Sequence, residues 1–128
     1  MPATEVLHTM IRILDEERSL SFYRALGFEE RGRKRVGNDT ATIIFMGLPG
    51  DDDRLELTLN DGRTDPYDIG TAYGHIALSI TDFDAMLAGL ASQGITPERE
   101  PYAPYPGGPR ICFVGDPDGY RIEFIEHR

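Results

Sequence analysis

Apolar and polar positions alternate along short segments of the chain, and in the first half they predict one strand, one helix and three further strands. Residues 6–13 alternate as a half-buried strand does. Asp15 offers a helix N-cap, and apolar residues then recur at helical spacing until Gly27 provides a stop. Alternating segments separated by turn-forming residues predict the remaining strands, at 28–36, 40–46 and 54–60.

The second half repeats this plan after a polar linker at 61–72. A strand at 74–80 precedes Asp82, which is placed to cap a helix that ends at Gly94. Further strands are expected near 95–100, 110–114 and 120–126, around a Pro/Gly-rich loop at 101–109. We therefore predict an α+β fold, with residues 1–128 forming a single domain of two tandem βαβββ modules, at about 5–60 and 73–127.

A constant offset in residue number relates the two halves. It carries His8 to His75 and Glu56 to Glu123, and it also matches the caps and glycine stops of the two helices. Any two strand–helix units would share caps and stops, so those matches alone prove little. The coincidence of histidine and glutamate needs another cause, and duplication of one module explains it.

Two histidines and two glutamates in equivalent positions suggest a metal centre. Imidazole suits mid-to-late first-row divalent metals, and carboxylates add charge and hard oxygen donors. Four protein ligands completed by water favour Ni²⁺ or Co²⁺, with Zn²⁺ as the other possibility. Taken singly, each residue could instead be structural or lie on the outward face of a half-buried strand. His127 has no partner at this offset and is expected to be a solvated tail residue.

Composition narrows the class of protein. Hydrophobic residues make up 40% and charged residues 27%, as in an ordinary globular domain, and the net charge of −9 disfavours nucleic acid and anionic membrane surfaces as partners. No apolar stretch is long enough to cross a membrane, and no secretory signal is visible. Cys112 is the single cysteine, so an internal disulfide is impossible and a reducing cytoplasmic location is expected.

Several strings carry a resemblance to a known family: LHTMIRI, SLSFYRALGF, RLELTLN, GTAYGHIALSI and DPDGYRIEFIE. They resemble glyoxalase I (lactoylglutathione lyase) of the vicinal oxygen chelate superfamily, over nearly the whole chain and at all four expected ligand positions. The resemblance implies curved mixed sheets that form a metal-holding cup. It implies conversion of the hemithioacetal of methylglyoxal and glutathione to S-lactoylglutathione through an enediolate, with glutathione as co-substrate. The short chain resembles the bacterial form that prefers nickel or cobalt.

The same resemblance suggests roles for individual residues. It implies that Glu123 is the principal base and Glu56 its symmetric partner, and that Arg12 and Asn60 hold the glutamyl end of glutathione. The chain departs from the family at Pro106, where a lysine is usual before two glycines. Arg110 could replace the missing charge on the glycyl carboxylate, or the thiol could differ from glutathione.

The family also forms homodimers in which one module of each chain completes each site. His8 and Glu56 would then face His75 and Glu123 of a second chain. Two other interpretations stay open at this point. One is a related metalloenzyme that uses another thiol or acts as an epimerase. The other is a metal-free small-molecule-binding protein of the same fold, which would have no use for four matched ligands.

Overall fold

A computed structural model describes residues 1–127, and the chain divides into two compact units. The first unit is Met1–Tyr67 and the second begins at Asp68, so the division falls inside the segment 61–72 that the sequence marks as a linker. Each unit is described by itself below.

The first unit contains a four-stranded mixed sheet and one helix. The elements are β1 (Thr9–Ile13), α1 (Glu16–Ala25), β2 (Glu29–Val36), β3 (Ala41–Gly47) and β4 (Leu55–Asn60). The sheet order is β1-β4-β3-β2, with β1 parallel to β4 and the other neighbours antiparallel. Because β1 and β4 are adjacent and parallel, residues near the start of β1 lie beside the first residues of β4.

One face of this sheet is apolar and belongs to the core. Ile13, Ile44 and Leu57 are fully buried, and α1 buries Leu20 and Tyr23. Asp15 caps α1 as expected, because its extended backbone lets the carboxylate accept a hydrogen bond from Arg18 N at 3.0 Å. Alternate residues of each strand point to the opposite face of the sheet, which is not part of this core.

The second unit has a smaller sheet of the same kind. The elements are β5 (Ile76–Ile80), α2 (Phe83–Ala91), β6 (Ile111–Gly115) and β7 (Arg121–Glu126). The order is β5-β7-β6, with β5 parallel to β7 and β6 antiparallel to β7. One face of this sheet is buried, and it carries Ile122, Phe124, Cys112 and Val114.

The strand expected at 95–100 does not form, and this part of the sequence prediction is wrong. Glu98 N donates to Phe113 O at 2.8 Å, and Tyr102 forms an isolated bridge with Ile111. Pro97 and Pro101 have no N–H to donate, so these two contacts cannot extend into a ladder. The second unit therefore follows the βαβββ plan with the first strand after its helix reduced to an irregular segment.

Two smaller expectations also need correction. The opening strands begin at Thr9 and Ile76, so both candidate histidines come just before their strands and not within them. Asp82 precedes α2 but makes no side-chain cap hydrogen bond, since its backbone (φ −102°, ψ 75°) departs from the extended shape that Asp15 has. The mixture of strands and helices is nevertheless the α+β class expected, and neither helix among residues 1–127 is long and apolar enough to cross a bilayer.

Candidate metal centre and active-site face

His8 and Glu56 come together at the edge of the first unit. His8 Nε2 lies 3.4 Å from Glu56 Oε1. Glu56 is near the start of β4, and its Cα pairs with Met10 of β1, so its side chain leaves the face opposite the apolar core. Two hydrogen bonds hold the start of β1 and the segment before it in place: the Thr9 backbone N–H donates to Arg54 O, and the Arg54 guanidinium donates to Val6 O.

The second unit makes the same pair with nearly the same dimensions. His75 Nε2 lies 3.2 Å from Glu123 Oε1, and the Cα of Glu123 pairs with Ala77 of β5. The side-chain exposures also match, at 38% for His8 and 39% for His75, and at 13% for Glu56 and 14% for Glu123. The constant offset between the halves therefore corresponds to two local sites of equal geometry.

The dimensions of each pair suit two ligands of one divalent cation. Zn²⁺ bonds to histidine nitrogen and carboxylate oxygen are about 2.0–2.2 Å long, so two ligands at right angles lie about 3 Å apart. Both observed separations are close to that value, and both histidines retain enough exposure to reach a cation. Among residues 1–127, no three His, Cys, Asp or Glu side chains gather into a group that could hold a metal ion. Each unit thus brings together two of the four expected ligands.

An aromatic ring, which the sequence pattern does not predict, lies beside each glutamate. Phe45 pairs with Glu56 across β3 and β4, and Phe113 pairs with Glu123 across β6 and β7. The His75 and Phe113 rings meet edge to face, with centroids 5.1 Å apart. The constant offset carries Phe45 to Cys112, one position short of Phe113, so a strict search at that offset misses the two rings. Each half-site has an apolar wall next to its carboxylate.

The two residues proposed for the glutamyl end of glutathione lie on the same face as Glu56. Arg12 pairs with Thr58, two residues beyond Glu56, so Arg12 shares the face. Asn60 is two residues further along β4, and its side-chain amide donates to the Tyr67 hydroxyl at 3.0 Å. The structure places both near Glu56, and their binding roles stay predictions.

Arg110 occupies a different setting. Its guanidinium lies on the helix side of the second sheet, 2.7 Å from Glu126 and 3.1 Å from Asp84, and over the Phe83 ring of α2. Glu126 and Glu123 are three residues apart on one strand and so point to opposite faces. The structure therefore does not bring Arg110 to Glu123, and any binding of a substrate carboxylate by Arg110 would require it to leave two others.

His127 is exposed, as expected of a residue near the C-terminus, but it is not without partners. Its ring nitrogen Nδ1 lies 3.2 Å from Ser79 Oγ, and its backbone N–H donates to Ile80 O. The constant offset relates His127 to Asn60 and Ser79 to Arg12. These two polar residues thus occupy, in the second unit, the positions that Asn60 and Arg12 hold in the first.

Cysteine chemistry has no part in the site. Cys112 is fully buried on the apolar face of β6, the face opposite Phe113 and Glu123. Burial raises the pKa of its thiol to about 11. A thiol with that pKa and no exposure is a poor nucleophile and a poor metal ligand.

The mixed sheets and the paired His–Glu half-sites define a class of protein, and sequence comparison assigns it. Residues 5–124 match the family described as Glyoxalase/Bleomycin resistance protein/Dioxygenase superfamily. The chain belongs to this superfamily.

Within it, the chain is similar to bacterial lactoylglutathione lyases. It is 39% identical to the Haemophilus influenzae enzyme over an alignment of 127 residues, which covers 97% of this chain and 93% of the relative. It is 40% identical over 126 residues to that of Neisseria meningitidis serogroup A, covering 96% and 91%.

Solved glyoxalase I structures share the fold. The Leishmania major enzyme, described as trypanothione-dependent, superimposes with a TM-score of 0.80 at 35% identity, over 97% of this chain and 87% of that one. Glyoxalase I from Zea mays gives a TM-score of 0.84 at 32% identity, over 95% of this chain. The present chain spans 44% of the length of the maize protein.

Proposed function

We propose that this protein is a lactoylglutathione lyase of the glyoxalase I type, which isomerises the hemithioacetal of methylglyoxal and glutathione to S-lactoylglutathione. The observation that carries the proposal is the repeated half-site: two His–Glu pairs with separations of 3.4 and 3.2 Å, in a chain about 40% identical to curated enzymes of this activity. Methylglyoxal detoxification is the physiological role that follows.

The reaction moves one proton between adjacent carbons, and the chain offers carboxylates for that step. The C1 hydrogen leaves as a proton, the resulting enediolate is reprotonated at C2, and the former aldehyde carbon becomes the thioester carbonyl. Glu123 is the principal base in this proposal, and Glu56 is its counterpart for the opposite substrate stereochemistry. Both glutamates are only slightly exposed, so little water competes with the substrate for the proton.

The four ligands in the proposal are His8, Glu56, His75 and Glu123. A divalent cation held by them supplies electrostatic stabilisation for the negative charge that develops on the substrate oxygens. Two imidazoles and two carboxylates suit Ni²⁺ or Co²⁺ best, with Zn²⁺ as the alternative. Because each unit brings only one His–Glu pair together, we further propose a homodimer in which each site takes one pair from each chain.

The identity of the thiol is the least constrained part of the proposal. Arg12 and Asn60 lie on the Glu56 face, where they can bind the glutamyl end of glutathione by charge-assisted and amide hydrogen bonds. Pro106 stands in the loop where a lysine is expected, and Arg110 is already ion-paired elsewhere. A second candidate is therefore the same reaction with another low-molecular-weight thiol, as the trypanothione-dependent Leishmania relative illustrates.

A reconstitution assay tests the proposal. Metal-free protein is loaded separately with Ni²⁺, Co²⁺ or Zn²⁺, and formation of the thioester from methylglyoxal and glutathione is followed by absorbance. The expected result is turnover with metal and none after chelation. A fully loaded protein that converts methylglyoxal with another thiol but not with glutathione would support the second candidate. A protein that binds no stoichiometric metal would contradict both.

A further inference from the structure

Lys34 is the only lysine in the chain, and it lies on the same face as Glu56. Across the first sheet, Lys34 of β2 pairs with Ile43, Ile43 pairs with Thr58, and Thr58 pairs with Arg12. These four residues form one row, directly beside the row that contains Phe45 and Glu56. The sheet thus carries cations at both ends of this row.

The surroundings of Lys34 differ from those of the cations next to it. Arg33 is ion-paired with Glu16 and Glu30, and Arg35 with Asp39 and Asp61. Within residues 1–127, no carboxylate lies at ion-pair distance from Lys34. Its ammonium instead sits 5.7 Å from the centroid of the Phe45 ring. In a chain of net charge −9, a cation that has no carboxylate partner and lies on the same face as a glutamate of the proposed site is available to a ligand.

The order of residues across the sheet assigns a direction to the bound substrate. Arg12 and Asn60, the proposed thiol anchors, are on β1 and β4, and Glu56 is on β4. Phe45 and Lys34 follow on β3 and β2, further from the anchors. If the thiol carrier is held at the β1 side and the reacting carbons lie at Glu56, then the substituent of the aldehyde extends toward Phe45 and Lys34.

A cavity of about 460 Å³ lies beside His8 and offers the substituent a second direction. The negative charge of the cavity lining makes that direction unsuitable for an anion. The cavity is lined by Phe45, by four carboxylates (Glu5 and residues 51–53) and by one guanidinium, that of Arg31, which is already paired with Asp53, so the carboxylates outnumber the cation. Lys34 is on the other side of Phe45 along β3, since it pairs with Ile43. An anionic substituent is repelled on the acidic side and attracted on the Lys34 side.

We propose that Lys34 and Phe45 form a subsite for the side group of the 2-oxoaldehyde, and that Lys34 extends the substrate range to 2-oxoaldehydes that carry a carboxylate. This inference rests on the proposed function. The aldehyde part of the substrate would contact Phe45 through its carbon chain and Lys34 through its carboxylate, while the proton transfer itself is unchanged.

The test compares two hemithioacetals of glutathione, one formed from methylglyoxal and one from 4,5-dioxopentanoate. The variants are Lys34→Met, Lys34→Arg and the control Arg35→Met, which removes the same charge one residue away on the opposite face. We expect Lys34→Met to lower kcat/KM for the carboxylate substrate by about fivefold relative to methylglyoxal, since a partly exposed ion pair contributes modestly. Lys34→Arg and Arg35→Met should leave the ratio unchanged.

Binding provides a readout that does not depend on turnover. The affinities of S-propylglutathione and S-(2-carboxyethyl)glutathione are measured by calorimetry in the same variants, and Lys34→Met should weaken only the second. An equal loss for both ligands, or no change in either, would overturn the subsite while leaving the glutathione site intact. If neither ligand binds and no thioester forms in any variant, the proposed function itself fails and the subsite with it.

Discussion

Subunit complementation is the most direct test of the proposal that each site is divided between two chains. His8→Ala removes one ligand from the first unit, and His75→Ala removes one from the second. Each change should abolish metal-dependent turnover by itself, because every site in either homodimer lacks one ligand. The histidines are 38% and 39% exposed and lie outside the core, so neither truncation should unfold its unit.

Mixing the two inactive proteins should restore activity by a calculable amount. Random exchange of equal amounts makes half of the dimers mixed. A mixed dimer holds both defects in one site and none in the other, so about 25% of wild-type activity should return, as twofold symmetry requires. The assay is thioester formation after incubation under conditions that allow exchange, with mixed dimers counted by native mass spectrometry on tagged chains.

A matched control separates complementation from other effects of mixing. His8→Ala and Glu56→Ala both lie in the first unit, so a mixed dimer of these chains has one defect in each site and should remain inactive. The same absence of activity in the His8→Ala and His75→Ala mixture, with mixed dimers demonstrated, would refute the shared site. Each site would then be built within one chain.

Three further predictions follow from the site and its surroundings. Glu123→Gln keeps an oxygen ligand but loses the proton acceptor. Bound metal, measured by emission spectroscopy, should therefore largely remain, while kcat falls by about 10²-fold or more. If Glu56→Gln shows the larger fall in kcat, the roles of the two glutamates are exchanged. Ni²⁺ or Co²⁺ should give a higher kcat than Zn²⁺ at equal occupancy, and an equal rate with Zn²⁺ would show that chain length does not determine metal preference. Cys112, with its pKa raised to about 11 by burial, should resist a thiol reagent in the folded protein and react at once in denaturant; rapid labelling of the native protein would contradict its burial.

The repeated plan of the fold could be predicted from the sequence because its signals are local. Alternation predicted β3 and β4 to within a residue at their starts, and the glycines at 27 and 94 follow the helices with φ of 106° and 79°. The expected strand at 95–100 does not form, although the signal against it is equally local. Pro97 within the segment and Pro101 directly after it lack an N–H, so neither can donate to a partner strand.

The His–Glu pairs could be found in the sequence, whereas Lys34 could not. The pairs are marked by the same residues in both halves, so the repeat itself draws attention to them. Lys34 lies in the run EERGRKRV, where almost every residue is charged and alternation indicates neither face. The register also shifts between Glu30 and Gly32, and a shift of one residue exchanges the two faces of a strand. Only the paired strands settle which side Lys34 takes.

Duplication explains why the ligands are symmetric, and later divergence explains how the substrate can be oriented. If both half-sites had kept identical neighbours, a substrate could bind in either direction with equal affinity. In the first unit the glutamate has Lys34 and Arg12 at the two ends of the adjoining row, and Phe45 beside it. In the second unit, the guanidinium nearest the glutamate along β7 is that of Arg121, which is stacked on Phe113 and ion-paired with Glu98. In the proposed reaction, anionic groups of the substrate are therefore expected to bind over the first unit, and Glu123 is left to act as the base.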